Sequence, residues 1–248
     1  MAVDAETLRA LHVPGQPLLL ANIWDPATAR VVESSGMRAI ATASAALAPV
    51  NGYEDHGKLP PDVAITALRR IAEAVTLPVT ADLEDGYGLS PDELVKRVVD
   101  SGACGFNLED TNHAAKVLVN IDQQAERIAA IKAAGRAGGV DLVLNARIDV
   151  QFHNRPVEEG LHRAKKYFEA GADCVYPILL SDIPAIRAYV ALGKTNILCR
   201  PSGPPLSELV KTGVSRISVG PFLFQLVLKR LQAAIDALRH LDDKGIWT

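Results

Sequence analysis

The chain has 248 residues, 48% of them apolar, and mixed charges that sum to a formal net charge of −3. That length suits one (β/α)8 barrel, which needs neither staples nor a partner to bury a core. The weak net charge gives no field for a nucleic-acid backbone or an anionic membrane surface, and no run approaches the ~18 apolar residues of a membrane span.

In chain order, Met1 to Leu11 reads as a preliminary helix, with the acids Asp4 and Glu6 where a secretory leader would need an apolar run. Short β-rich runs follow at Leu18 to Ile23, Ala39 to Thr42, Pro78 to Asp82, Gly105 to Leu108, Leu142 to Ala146, Cys174 to Pro177, Asn196 to Cys199 and Ile217 to Val219. Eight such runs alternating with amphipathic segments predict one α/β domain, a TIM barrel of parallel strands. Asp25-Pro26 and Ser90-Pro91 are helix starts, each an N-cap followed by proline at the first helical position. Gly36, Gly102, Gly171 and Gly213 come just before strands and read as left-handed helix stops. Residues Leu223 to Leu241 form a long closing helix with apolar residues every three to four positions. An open doubly wound sheet uses the same alternation, but no Gly-x-Gly-x-x-Gly follows the first strand.

Active sites of such barrels lie at the C-terminal ends of the strands. Here those ends are acidic: Asp82, Glu84 and Asp85 after the third strand, Glu109 and Asp110 after the fourth, and Glu54 and Asp55 after the second. Converging carboxylates repel one another unless they share a cation or protons. All-oxygen donors suit Mg²⁺, with Mn²⁺ as the alternative, whereas zinc calls for His or Cys. Asp82 and Glu84, two apart on a strand end, are expected to point the same way and reach one ion. Glu54, Asp85 and Asp110 read instead as solvent-facing loop acids or helix caps. Arg147 ends the fifth strand, where it can grip a substrate carboxylate or pair with Asp149. Thr42, Ala43 and Ser44 offer hydroxyls and N–H groups to a second anionic end, and Trp24 either walls the pocket or belongs to the core. No lysine sits on a strand end for Schiff-base chemistry, and no Gly-x-Ser-x-Gly elbow is present. Pro201 to Pro205 and Val219-Gly220-Pro221 carry a weak phosphate-loop signal. The three cysteines, Cys104, Cys174 and Cys199, are odd in number and set in apolar segments, which reads as buried thiols in a reducing, cytoplasmic compartment.

Six segments, in register, carry a more specific signal: Ala21-Asn22-Ile23-Trp24-Asp25, Ala41-Thr42-Ala43-Ser44, Gly52-Tyr53-Glu54-Asp55, the run from Pro78 to Gly88, Gly105-Phe106-Asn107-Leu108-Glu109-Asp110, and Asn145-Ala146-Arg147-Ile148-Asp149. On these the chain resembles the isocitrate lyase and phosphoenolpyruvate mutase superfamily over nearly its whole length. The resemblance implies that Asp82 binds Mg²⁺ directly while Asp55, Glu84 and Glu109 hold its water ligands. It also implies that Arg147 holds the substrate or its enolate, that Thr42 to Ser44 bind a carboxylate, and that the last helix is exchanged between subunits of a dimer or tetramer.

Two departures narrow the activity. The lyases' Lys-Lys/Arg-Cys-Gly-His loop is replaced by Asp110-Thr111-Asn112-His113-Ala114-Ala115-Lys116, which lacks the cysteine acid, and the mutase's Asp-Lys gating loop is not cleanly reproduced; position 178, moreover, holds Ile178 where many lyases have a carboxylate. His113 is then the local candidate for protonating an enolate, and Asn112 for the mutase asparagine. The expected function is a Mg²⁺-dependent lyase acting on a small 2-oxo or 2-hydroxy acid. The alternatives are a phosphonate enzyme of mutase or carboxyphosphonate type and a non-catalytic protein that binds 2-oxo acids.

Overall fold

The structure, a computed structural model, describes residues 4–247. Strand β1 (Leu18–Leu20) runs almost directly into β2 (Asn22–Ile23), and the remaining barrel strands are β3 (Ile40–Thr42), β4 (Val79–Asp82), β5 (Gly105–Glu109), β8 (Val143–Ile148), β9 (Cys174–Pro177), β10 (Asn196–Leu198) and β11 (Arg216–Ser218). A small antiparallel hairpin, β6 (Thr111–Asn112) with β7 (Val117–Leu118), follows β5. Six strands pair in the order β2-β3-β4-β5-β8-β9 and three in the order β1-β11-β10, all parallel. The two sheets meet at Ala21, between β1 and β2, and at the parallel bridge Val175 to Thr195, so the barrel closes with β1 and β2 counted as one strand. At the first seam the side chain of Asn22 replaces ladder bonds: its Oδ1 accepts from the Val219 and Gly220 N–H groups, both at 2.9 Å. Those N–H groups are therefore not free to cradle a phosphate.

The helices are α1 (Ala5–Ala10), α2 (Pro26–Ser34), α3 (Ser44–Val50), α4 (Pro61–Glu73), α5 (Pro91–Ser101), α6 (Ile121–Ala137), α7 (Val157–Glu169), α8 (Ile183–Leu192), α9 (Leu206–Lys211), α10 (Phe222–Arg239) and α11 (Asp243–Trp247). Asp25 caps α2 in a capping box with Thr28, and Ser90 caps α5. Gly36, Gly102, Gly171 and Gly213 all have positive φ, as helix stops placed before strands require. The expected first helix is present over Ala5–Ala10, and Met1 to Val3 lie outside the described residues. No described helix is long and apolar enough to cross a membrane.

Helix α1 plugs the N-terminal end of the barrel. Leu8 is fully buried among Leu18, Leu20, Ala39, Ala41 and Val143. Gly105 makes that approach possible, because a Cβ there would sit 2.9 Å from Leu8 Cδ2 and 2.6 Å from the Val143 carbonyl oxygen. A buried ion network pins the plug: Arg9 Nε lies 2.7 Å from Asp173 Oδ1, and Lys132 Nζ lies 2.8 Å from Asp173 Oδ2. Burial alone would raise the Asp173 pKa, but the bonds from Lys132 and Arg9 hold it below the usual carboxylate value.

Helix α10 has no buried residue and leaves Leu226, Leu231 and Leu238 more than half exposed. It does not lie along its own barrel. Its first turn packs on Trp24, whose ring meets that of Phe224 edge-on at a centroid separation of 5.0 Å. Trp24 thus sits in a small apolar cluster with Ala43 and Ala46 at the root of α10, which is the core alternative of the two roles expected for it.

Two outcomes are expected. Asp173→Asn leaves Lys132 buried with half its ion pairing gone, and urea denaturation should show a loss of about 3 kcal/mol or more. His12 is buried and hydrogen-bonded through Nδ1 to the Leu8 carbonyl at 2.8 Å, and burial followed by the nearby Arg216 charge lowers its pKa from 6.5 to about 4. The unfolded chain therefore binds this proton more readily than the fold does. The stability that neutral His12 contributes is fully present above pH 6.5 and is lost as the pH falls toward 4. Urea midpoints across that window should flatten in His12→Gln relative to the parent chain.

Candidate active site

The acids at the strand ends divide by the face of the barrel they occupy. Asp110 is fully buried on the outer side, where its Oδ2 accepts from Arg163 Nη1 at 3.0 Å and Tyr167 Oη at 2.8 Å, and its Oδ1 from the Asp149 N–H at 2.8 Å. It is a structural anchor between β5, α7 and the end of β8, not the solvent-facing acid expected. Asp85 caps the turn at the Tyr87 N–H, 2.9 Å away, and Glu54 is exposed at the rim. Glu84, Asp82, Glu109 and Asp55 remain, and the last three lie close enough to Glu84 for their charges to act on it.

Asp82, the last residue of β4, is gripped at both oxygens. Its Oδ2 accepts from the Ser44 N–H and hydroxyl, each at 2.9 Å, and its Oδ1 accepts from Asn107 Nδ2 at 3.3 Å. The Asp82 N–H donates to Thr42 Oγ1 at 2.9 Å. Ser44 opens α3 directly after β3, beside the end of β4, so its two donors serve Asp82 rather than standing free for a substrate carboxylate. Ala43, buried and extended, is the N-cap of that helix.

Glu84 departs from the strand-end expectation. The strand stops at Asp82, and Glu84 has a left-handed φ of 51°, so the alternation that would align the two side chains breaks there. Its Oε2 accepts from the Gly57 N–H, tying it to the loop that carries Asp55. Its Oε1 and Asp55 Oδ1 are buried without a protein partner. Burial, then the nearby Asp55 charge, pushes the Glu84 pKa up to about 8. Among the described residues no three His, Cys, Asp or Glu side chains form a direct metal cage. One carboxylate on the ion and others reached through water is a different arrangement, and it suits Mg²⁺, which keeps several waters. The oxygen-only donors and the unpartnered oxygens of Glu84 and Asp55 fit such a hydrated hard cation.

Glu109, at the end of β5, accepts from Arg147 Nη1 through Oε1 and from His113 Nε2 through Oε2, the latter at 2.9 Å. Arg147 Nε donates to Asp149 Oδ1 at 2.7 Å. The pairing with Asp149 is therefore formed: Nε and Nη1 are held by acids, and Nη2 makes no hydrogen bond to a described residue. Burial opposes the Arg147 charge, but Asp149 and Glu109 outweigh it and keep the group protonated. Burial likewise disfavours the His113 imidazolium, yet the Glu109 bond and the Glu84 charge win and raise it to about 9. His113 Nε2 thus sits between two carboxylates, 2.9 Å from Glu109 and 3.8 Å from Glu84.

Above the cluster lies a cavity of about 510 Å³ to which Asp55 and His113 both contribute, lined otherwise by His56, Lys58, Thr111, Lys116, Phe152 and His153 among others. The hairpin β6–β7 roofs it and is latched by Thr111, whose hydroxyl donates to Asp149 Oδ2 at 2.5 Å and meets His153 Nε2 at 3.0 Å. The sequence marked Thr111 only as part of the stretch that replaces the lyases' cysteine loop and gave Phe152, His153 and Lys58 no role, because loop residues carry no period that reveals which way they face. Asn112 is exposed and its Oδ1 accepts from the Ala115 N–H at 2.9 Å, so it shapes the hairpin turn. Cys104 and Cys174 are buried, which pushes both thiols up to about 12, and Cys199 is half-buried.

A family model described as phosphoenolpyruvate phosphomutase matches residues 8–239. A crystal structure of a Burkholderia cenocepacia J2315 protein, provisionally described as a phosphonomutase, superposes with a TM-score of 0.88 at 38% identity, covering 94% of this chain and 99% of that one. The Arabidopsis thaliana chloroplastic carboxyvinyl-carboxyphosphonate phosphorylmutase is 28% identical over 92% of this chain and 71% of its own length. The 2-methylisocitrate lyase of Salmonella typhimurium is 27% identical over 76% and 70%. This chain belongs to the phosphoenolpyruvate mutase family within the phosphoenolpyruvate mutase/isocitrate lyase superfamily, and its fold is that superfamily's barrel.

Removing the Thr111 latch should free the roof without unfolding the barrel. In Thr111→Val, hydrogen–deuterium exchange across 110–119 should quicken while the barrel strands stay protected, and global stability should fall by only about 1 kcal/mol.

Proposed function

We propose that this protein is a Mg²⁺-dependent lyase that acts on a small 2-oxo or 2-hydroxy dicarboxylic acid and works in the cytoplasm. One observation carries the reading: buried oxygens of Glu84 and Asp55 stand without a protein partner near a fixed Asp82, in a site whose Arg147 has an uncommitted Nη2. Asp82 would hold the cation, and Asp55, Glu84 and Glu109 its waters; Mn²⁺ would serve as well. When bound, the cation supplies Lewis-acid stabilisation of the charge that develops on the substrate's C2 oxygen.

The chain's own residues do the rest. Arg147, its plane fixed by Asp149 and Glu109, presents Nη2 to the substrate carboxylate. Thr42 and Ser44 set the opposite wall through Asp82. With oxaloacetate, cleavage of C3–C4 would release CO2 and leave the bonding pair in a pyruvate enolate, and His113, held at the cluster by Glu109, would supply the proton that C3 takes up. The hairpin roof keeps bulk water from that carbon.

A phosphonate reaction is the rival. Asn112, its candidate residue, is committed to the Ala115 N–H, whereas His113 sits on the cluster, and that contrast favours the lyase. We also place the exposed apolar face of α10 against a second copy of the chain, as an exchanged helix in a dimer or tetramer.

With Mg²⁺ present, oxaloacetate should give pyruvate, and Asp82→Ala should lower the rate by roughly a hundredfold or more. Failure to form pyruvate, together with a moving phosphorus NMR signal on phosphonopyruvate, would establish the rival; metal-dependent thermal stabilisation by 2-oxo acids without turnover would mark a binding protein. Light scattering should report a dimer or tetramer for the parent chain and a smaller species for Leu231→Asp.

A further inference from the structure

Beneath the carboxylate cluster the barrel interior holds a guanidinium with no ion-pair partner among the described residues. Arg216, on β11, is 1% exposed and is the largest fully buried side chain described. Its one hydrogen bond to a described residue runs from Nη2 to Asn107 Oδ1 at 3.2 Å, while Nε and Nη1 find no protein partner. Burial pulls its pKa down, and of the groups that oppose that shift only Asp82 is ionised near neutral pH, the Cys174 thiol and Tyr176 hydroxyl being held neutral by burial. Holding such a cation in the core costs stability, and an apolar side chain of similar volume is often as good or better. Stability therefore gives little reason for Arg216 to be there.

Its contact does. Asn107 Oδ1 also accepts from Asn145 Nδ2 at 2.8 Å, so both lone pairs of the amide oxygen face donors. A flipped amide would set its NH₂ against two donors, which fixes the orientation. Asn107 Nδ2 is thereby aimed at Asp82 Oδ1, 3.3 Å away, opposite the grip of Ser44 on Oδ2. We propose that Arg216 is a positioning residue for the cation-binding carboxylate of Asp82, acting through the amide of Asn107. The inference rests on the reading that a divalent cation binds at Asp82.

The sign of the effect separates positioning from bare charge. A positive charge below the site repels a bound cation, so if charge were its whole role, removing Arg216 would tighten metal binding. Positioning predicts the reverse.

The test is Mn²⁺ binding by the full-length protein, read by electron paramagnetic resonance of the free ion at a temperature where each variant is folded by circular dichroism. Arg216→Met and Asn107→Leu should each weaken Mn²⁺ binding by about tenfold. The double variant should be no weaker than Asn107→Leu alone, since the effect of Arg216 passes through that amide. Should Arg216→Met not fold, Arg216→Gln takes its place in the same cycle. Mn²⁺ binding by the Arg216 variant that equals or exceeds the parent's, or losses that simply add in the double variant, would overturn the proposal while leaving the cation reading intact. A parent chain that takes up no Mn²⁺ overturns both.

Discussion

Like charges crowded into a poorly solvated space repel, and four carboxylates meet at the C-terminal mouth of this barrel. Burial, followed by the charges of Asp55, Glu109 and Asp82, pushes the Glu84 pKa up to about 8. The basic groups that reach them from the chain are Arg147 and His113, both on Glu109, with Glu84 3.8 Å from His113 and Asp55 3.9 Å from His56. That leaves Asp82 and Asp55 without an ion pair to a lysine or arginine among the described residues. A hydrated divalent cation resolves the remaining repulsion using the oxygens the chain leaves unpartnered.

The barrel is built to keep those acids where repulsion would move them. Parallel strands place Asp82, Glu109 and Arg147 at adjacent ends, with Asp82 in register with Asn107, and Glu109 with Arg147. Around them stands a second set of groups: Ser44 and Asn107 on Asp82, Gly57 on Glu84, Asp149 on Arg147. Asp110 and Glu109 show how one residue of strand decides function. Glu109 faces into the site, whereas Asp110 faces out and anchors Arg163 and Tyr167.

Much of this was legible in the sequence because barrels make it so. Strand ends are marked by apolar runs and helix stops by glycine, and Gly36, Gly102, Gly171 and Gly213 adopt the left-handed backbone such stops need. The acidic strand ends and Arg147 followed from the rule that barrels do chemistry at that face. What escaped was set by long-range geometry. Glu84 combines a left-handed turn with a side-chain bond from the Gly57 N–H, 27 residues away. Ser44 reads as a ligand group in the sequence, whereas its N–H and hydroxyl both meet Asp82 because α3 begins beside β4. The latch of Thr111 onto Asp149 and His153 joins segments about 40 positions apart, and no local pattern announces it. Whether α10 covers its own barrel was likewise invisible to periodicity, which specifies an apolar face but not what lies against it.

A crystal soaked with Mn²⁺ and oxalate, a planar mimic of a pyruvate enolate, tests the central claim most directly through the anomalous signal of the metal. The account predicts a single strong peak within coordination distance of an Asp82 carboxylate oxygen, with waters linking it to Asp55, Glu84 and Glu109 and with oxalate reaching Arg147 Nη2. A peak elsewhere, or oxalate bound at Arg147 with no metal beside Asp82, would contradict it.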